Sequence, residues 1–233
     1  IDSNIQFFTY KKLVEAVKNS QAKSGTAIVL DNSTGEILAM ASFPSYNPNN
    51  SNRKSQKNRA LLDTYEPGSV LKPIAMAKAF DMGLIDIDDT LDTSPGYISL
   101  NNYSISDYKN HGLLKAYEVI TNSSQVGASK IALMLGADNI ISTYKNFGFS
   151  KPINLNFPSA SFGTINTRNN MSDIEIANLG FGYGMEASPY QIASAYSVFA
   201  NNGIYKEFTI VMNDEYKYEE QIISAESANK ILF

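Results

Sequence analysis

The position of Pro73 limits what this chain can fold into more than any other single residue. It stands directly after Lys72 and opens an apolar run, Ile74 to Met82, that stops at Gly83. A proline inside a helix removes a backbone donor and clashes with the preceding turn, so it is best tolerated in the first turn. The helix must therefore start close to Ser69, just after the turn-forming pair Pro67 and Gly68. Ser69 and Lys72 are three apart, which puts both on one side of that helix with Cβ atoms roughly 5–6 Å apart.

That pairing has a chemistry. A hydroxyl is a poor nucleophile unless a base takes its proton. Lysine can be that base if burial or a neighbouring cation lowers its pKa toward neutrality. The helix N-terminus adds backbone N–H groups and a positive dipole end, which suit a developing oxyanion. A bare S-x-x-K also arises by chance as a helix start with an exposed lysine. A second cluster, Thr121-Asn122-Ser123-Ser124-Gln125-Val126-Gly127, lies between an apolar run (Tyr117 to Ile120) and a helical one. Buried hydroxyls and amides need partners. A cleft holding a serine and a lysine would supply them; the plainer reading is an N-cap cluster for the helix from Val126 to Leu135.

Composition narrows the class. The 233 residues are 43% hydrophobic and 18% charged, which excludes disorder, collagen and coiled coil for the whole chain. Lys and Arg total 19 against 23 Asp and Glu, a net charge of -4, which speaks against a basic nucleic-acid binder. Cysteine is absent, so no disulfide, thiolate nucleophile, iron–sulfur cluster or Cys-based zinc site is available. His111 is the one histidine, too few for a His-rich metal site. We expect neither a metal nor a cofactor. No run of about 18 apolar residues occurs, and the first ten residues have no signal-peptide shape; the chain reads as if cut from something longer.

Along the chain, residues 4–20 have helical periodicity. Thr26 to Leu30 and Glu36 to Ala41 read as strands joined through Asp31 to Gly35, a hairpin signal. The polar loop 44–59 carries Arg53, Lys54, Lys57 and Arg59 without interleaved aromatics, so we read it as solvated rather than nucleic-acid binding. Asp86, Asp88, Asp89 and Asp92 do not fit the spacing of a calcium loop. Val126 to Leu135 and Asn139 to Phe147 read as two helices. Ser172 with Glu175 is a capping box, as is Ser188 with Gln191, whose helix runs to about Asn202 and stops at Gly203. Residues 204–223 return to β-like alternation, and a last helix starts near Ser224. We read Gly180 to Gly184 as backbone crowding near the cleft, and His111 as a structural or loop residue.

Together, Tyr65 to Pro73 and Ser123 to Ala132 resemble the penicillin-binding transpeptidases of bacterial cell-wall synthesis, with their S-x-x-K, S-x-N and K-T-G set. The likeness extends to Leu30–Met40, Pro44–Asn49, Asn58–Ala60, Phe181–Met185 and Ser188–Gln191. It is nearest the division-specific class B type of Gram-negative bacteria. The resemblance implies an α+β fold of the serine β-lactamase/DD-peptidase kind: an antiparallel sheet covered by helices from the two chain ends, plus an α-rich subdomain. On that basis the α/β layer is expected at 1–66 and 203–233 and the α-rich subdomain at 67–202.

It also implies roles. Ser69 would be the acyl nucleophile, Lys72 its base, Ser123 a proton relay to the leaving amine, and Gln125 a substrate-binding amide. Peptidoglycan stem peptides and β-lactam antibiotics would be the ligands. Other cell-division proteins would be the partners, at the periplasmic face of the inner membrane, held there by an N-terminal anchor outside this chain. Two departures stand out. Gln125 replaces the motif's Asn, and no K-T/S-G occurs where the family has it, because Lys23-Ser24-Gly25 precedes the first strand. The family's motif lies on a strand beyond the helix near Ser224, so the chain is expected to end before it. Two alternatives remain at this stage: a serine β-lactamase, disfavoured because residues 136–172 hold no Glu to activate water, and a non-catalytic module.

Overall fold

The computed structural model describes residues 1–47, 49, 57–155, 157, 159–212 and 218–232. Helix α1 (Ser3–Asn19) is followed by strands β1 (Gly25–Asp31) and β2 (Glu36–Phe43), then α2 (Arg59–Leu62). A 3₁₀ turn (Gly68–Leu71) leads directly into α3 (Lys72–Asp81). Short strands β3 (Thr90–Asp92), β4 (Tyr97–Leu100), β5 (Tyr103–Ser106) and β6 (Leu113–Lys115) precede α4 (Ala116–Thr121) and α5 (Gln125–Asn146). The chain continues through β7 (Thr164–Ile165), α6 (Asp173–Leu179), β8 (Met185–Glu186), α7 (Pro189–Ala200), β9 (Ile204–Lys206), β10 (Glu219–Gln221) and α8 (Ala225–Ile231).

Local chemistry explains the boundaries. The Asp2 carboxylate caps α1 by accepting from Asn4 N and Ile5 N, both at 2.9 Å. The β1–β2 hairpin turns on Asp31, whose carboxylate accepts from Ser33 N and Thr34 N, and on Gly35 at φ 68°. Along β2, Ile37, Ala39 and Ala41 are buried while their neighbours are not, the period-two pattern of a strand with one face on the core. Among the described residues β1 pairs only with β2, antiparallel. The expected break between the helices near residues 136–138 is present: Gly136, at φ 75° and ψ 167°, interrupts α5.

Two apolar clusters form. The smaller joins Ile37 of the sheet to Leu61, Leu155, Tyr190 and Phe208. The larger surrounds α3 and includes Leu71, Ile74, Met76, Ile131, Tyr144, Phe147 and Phe149. α3 is buried on nearly every side, with α5 and α8 packed against it. One expectation needs correcting. α1 covers the sheet as anticipated, but the C-terminal helix α8 packs on α3 and α7. Its apolar face fits there: Ala228 belongs to the larger cluster and Ile231 packs against it.

The four loop aspartates have structural work. Asp86 pairs with Lys230 and Asp88 with Lys115; Asp89 accepts from Asp86 N and Asp92 from Ser94 N. Of the basic loop, Arg53 and Lys54 lie outside the described residues, and Lys57 and Arg59 both pair with Asp63.

Candidate active site

The site assembles where α3 begins and α4 meets α5. Ser69 sits in the 3₁₀ turn and is exposed; Lys72, the first residue of α3, is buried, only 3% exposed. The Ser69 carbonyl accepts from Lys72 N. The Lys72 ammonium donates to Ser123 Oγ at 2.9 Å and also to the Ser123 carbonyl. The structure therefore brings Lys72 and Ser123 into direct contact across 51 residues of sequence, with Ser69 one turn before the lysine. Burial pushes the Lys72 amine down to about 8, against the opposing pull of the Asp107 carboxylate.

Ser123 itself is held in a conformation that side chains avoid. Its φ is 54°, in the left-handed region. It occupies the position just past the end of α4 where glycine is usual: Ser123 N donates to Ile120 O at 3.0 Å and Ser124 N to Val119 O at 2.9 Å. Ser124 then caps α5, its Oγ accepting from Gly127 N at 2.9 Å. Gly127 lets the two helices meet closely, since a Cβ there would lie 2.7 Å from a Val119 methyl.

The residue that sequence reasoning missed is Asp107, just beyond β5. Its carboxylate accepts from Ser124 Oγ at 2.7 Å, Gln125 N at 2.5 Å and Val126 N at 3.1 Å. The one signal available was the requirement that the hydroxyls and amides of the 121–127 cluster find a partner. Gln125, at the third position of the motif, contributes its backbone N–H to this cap. Its side-chain amide has no hydrogen bond among the described residues.

The Ser69 turn is clamped from the other side by residues 180–187. Gly68 N donates to Gly182 O at 3.1 Å, Tyr65 and Ala187 exchange backbone hydrogen bonds, and Gly184 N donates to the Glu66 carboxylate at 3.0 Å. A Cβ on Gly182 would lie 2.2 Å from Gly68 O, and one on Gly180 would lie 2.6 Å from Ala128 O. The glycine run is thus a close-packed backbone contact, as its spacing suggested. Tyr196 of α7 donates to Val70 O, tying the same turn to α7. Beside it an apolar groove of about 410 Å³ runs between β1 and α7, lined by Ile28, Tyr65, Val70, Ile192 and Tyr196 among others. His111 stands in a loop, edge-on to Tyr108 at 5.0 Å between ring centres.

The arrangement holds an exposed hydroxyl at a helix start, a buried amine of lowered basicity and a second hydroxyl on that amine. These are the parts of an acyl-transfer site. Among the described residues no group of three or more His, Cys, Asp or Glu is placed to hold a metal.

Comparison with known proteins gives the family. The model of the penicillin binding protein transpeptidase domain matches residues 25–232. The peptidoglycan D,D-transpeptidase FtsI of Buchnera aphidicola (from Schizaphis graminum) is 38% identical over 225 residues, 95% of this chain and 39% of that protein. FtsI of Escherichia coli K12 is 36% identical over 217 residues, 92% of this chain and 37% of that protein. The probable peptidoglycan D,D-transpeptidase PenA of Neisseria gonorrhoeae is 36% identical over 207 residues, 88% of this chain and 35% of that protein. The chain thus spans about two fifths of the length of these relatives. Among solved structures, the apo transpeptidase domain of Burkholderia pseudomallei penicillin-binding protein 3 superposes with a TM-score of 0.90 at 32% identity, covering 99% of this chain and 67% of that one. A Burkholderia ambifaria structure described as a peptidoglycan glycosyltransferase also gives 0.90 at 32% identity, covering 99% and 71%. The fold is the α+β DD-peptidase fold.

Proposed function

The chain belongs to the penicillin-binding protein transpeptidase family, and we propose that it is the catalytic domain of a division-type D,D-transpeptidase that cross-links peptidoglycan stem peptides through a Ser69 acyl-enzyme. The observation that carries this reading is the buried Lys72 amine resting on Ser123 one turn beyond the exposed Ser69.

Ser69 Oγ attacks the carbonyl of the penultimate D-Ala, and its proton passes to neutral Lys72. With the amine lowered to about 8, about a tenth of it is neutral at pH 7, enough for a general base. The tetrahedral oxyanion develops against N–H groups at the helix start. As it collapses, the C–N bond breaks and Lys72 returns the proton through Ser123 Oγ to the departing D-Ala amine. An amine of a second stem peptide then attacks the ester, the new amide forms, and Ser69 is released. A β-lactam follows the first half of this path: its ring C–N bond breaks and the ring-opened acyl group stays on Ser69.

Gln125 keeps the amide of the family's second motif but carries one more methylene, and a displacement of about 1 Å matters at a preorganised site. The β1 edge of the sheet is unpaired among the described residues. The division we propose is an α-rich subdomain at 67–202 beside an α/β layer at 1–66 and 203–233, with α8 of the last segment reaching across to α3. The periplasmic location and the cell-division partners belong to the same proposal. No described helix is long and apolar enough to cross a membrane.

The test is labelling of the full-length protein with a fluorescent penicillin and mapping of the adduct by mass spectrometry. The adduct is expected on Ser69, absent in Ser69→Ala, and slow to release. Rapid turnover of the adduct would make the protein a β-lactamase instead. No adduct on folded full-length protein would overturn the reading.

A further inference from the structure

We infer that Asp107 is the positioning residue of this site: its carboxylate fastens the turn that holds Ser123 against Lys72, so that both hydrogen bonds of the lysine depend on it. The inference rests on the Ser69–Lys72 reading above.

The geometry is specific. A helix leaves its first four N–H groups without intrahelical partners. For α5, Asp107 Oδ1 takes two of them, Gln125 N and Val126 N, while Asp107 Oδ2 takes Ser124 Oγ and Ser124 Oγ takes Gly127 N. Asp107 is itself anchored, its N–H donating to Gly96 O at 2.9 Å. Ser123 lies one residue before this cap and two after the end of α4, in a left-handed conformation costing of order 1 kcal/mol. It persists because both flanks are tied, and the inward flank is tied by Asp107. Both hydrogen bonds of the Lys72 ammonium go to Ser123, so the lysine's place depends on the same turn.

The charge of Asp107 supports the same reading. Several other charged groups sit on elements around α3. Glu118 of α4 accepts from Lys115 N; Lys130 of α5 donates to the Asp92 carbonyl; Glu226 and Lys230 of α8 pair with each other; Lys78 and Asp81 pair within α3. Asp107 is the one whose field reaches Lys72, favouring its ammonium form against the effect of burial. A carboxylate that only capped α5 would be replaceable by any cap. One that also sets the protonation of the base would not.

The experiment uses the full-length protein with Asp107→Asn, Asp107→Glu and Asp107→Ala. Asn keeps the acceptor for the two backbone N–H groups and removes the charge; Glu keeps the charge; Ala removes both. Lys72 is titrated by NMR on ¹³Cε-lysine-labelled protein, its resonance assigned by its loss in Lys72→Arg. The rate of Ser69 acylation by a fluorescent penicillin is measured against pH in parallel. In Asp107→Asn we expect the Lys72 titration and the acid limb of acylation to move together to lower pH, by about half a unit or more. Asp107→Glu should leave that limb near the wild-type position, and Asp107→Ala should lower the acylation plateau at least tenfold as well. A Lys72 titration unmoved in Asp107→Asn overturns the inference, as does an undiminished plateau in Asp107→Ala. If the wild type is not acylated at all, the functional reading fails, and the NMR titration still decides what Asp107 does to Lys72.

Discussion

Ser123 shows how a single residue can be placed against its own preference. The turn between α4 and α5 needs a residue with positive φ, and glycine fills such positions without strain. The chain puts serine there, and the hydroxyl it gains is the one that Lys72 touches. Ser123→Gly should therefore raise stability by about 0.5–1 kcal/mol, because the left-handed conformation is no longer strained. The same variant should slow acylation of Ser69 if the reaction runs as proposed, because the hydroxyl on Lys72 is gone. Thermal unfolding and the penicillin-labelling rate read the two effects separately. A variant that is less stable than wild type would contradict the account of the turn. The two motifs were legible in sequence as S-x-x-K and a hydroxyl cluster, but the strain at Ser123 was not. Helix ends are usually marked by glycine, and here a serine stands in that position with its hydroxyl on Lys72.

At the scale of elements, the capping signals read correctly. Ser172 and Ser188 each start a helix, because a hydroxyl followed three residues later by a carboxylate or an amide is a local pattern. Asp107 was not legible for the opposite reason: it caps a helix that starts 18 residues later, and in sequence it is one more aspartate in a polar stretch. The glycine run at 180–184 was read only as crowding, and the structure shows what crowds it. Gly182 has φ 82° and its hydrogens face the backbone of Gly68, in the turn that presents Ser69. Gly182→Ala must push these two segments apart, since 2.2 Å is far inside any van der Waals contact and the displaced atom is backbone. We expect acylation to fall at least a hundredfold, the effect of misplacing a reacting group by about 1 Å. The unfolding temperature should drop by only a few degrees, because most of the larger cluster, on α3 and α5, lies away from this contact. Equal losses of both would mean that the contact supports the whole fold and not the Ser69 turn.

For the whole molecule, the unexpected feature is where the last helix goes. Periodicity near Ser224 announced a helix but carried no information on its partner, since an apolar face fits any complementary one. A polar link adds to the apolar contact of Ala228 and Ile231. Ser224, the N-cap of α8, donates its N–H to Asp81 Oδ1 at 2.8 Å, and Asp81 is the last residue of α3, 143 positions earlier. Burial by itself would raise the Asp81 carboxyl; the Ser224 N–H and the Lys78 ammonium outweigh it and hold the group below the ordinary aspartate range. A carboxyl whose pKa is lower folded than unfolded stabilises the fold fully above the unfolded value of about 3.9 and loses that contribution as pH falls through the folded value. Asp81→Asn keeps an acceptor for Ser224 but cannot ionise. It should cost roughly 1 kcal/mol at pH 7, the scale of one charge-assisted hydrogen bond, and the loss should shrink as the pH is taken below 4. Unfolding followed between pH 7 and pH 3 tests this, with hydrogen exchange in α8 as the local readout. Parallel curves for wild type and Asp81→Asn across that range would show that the ionised carboxylate does not hold α8 on the helix that carries Lys72.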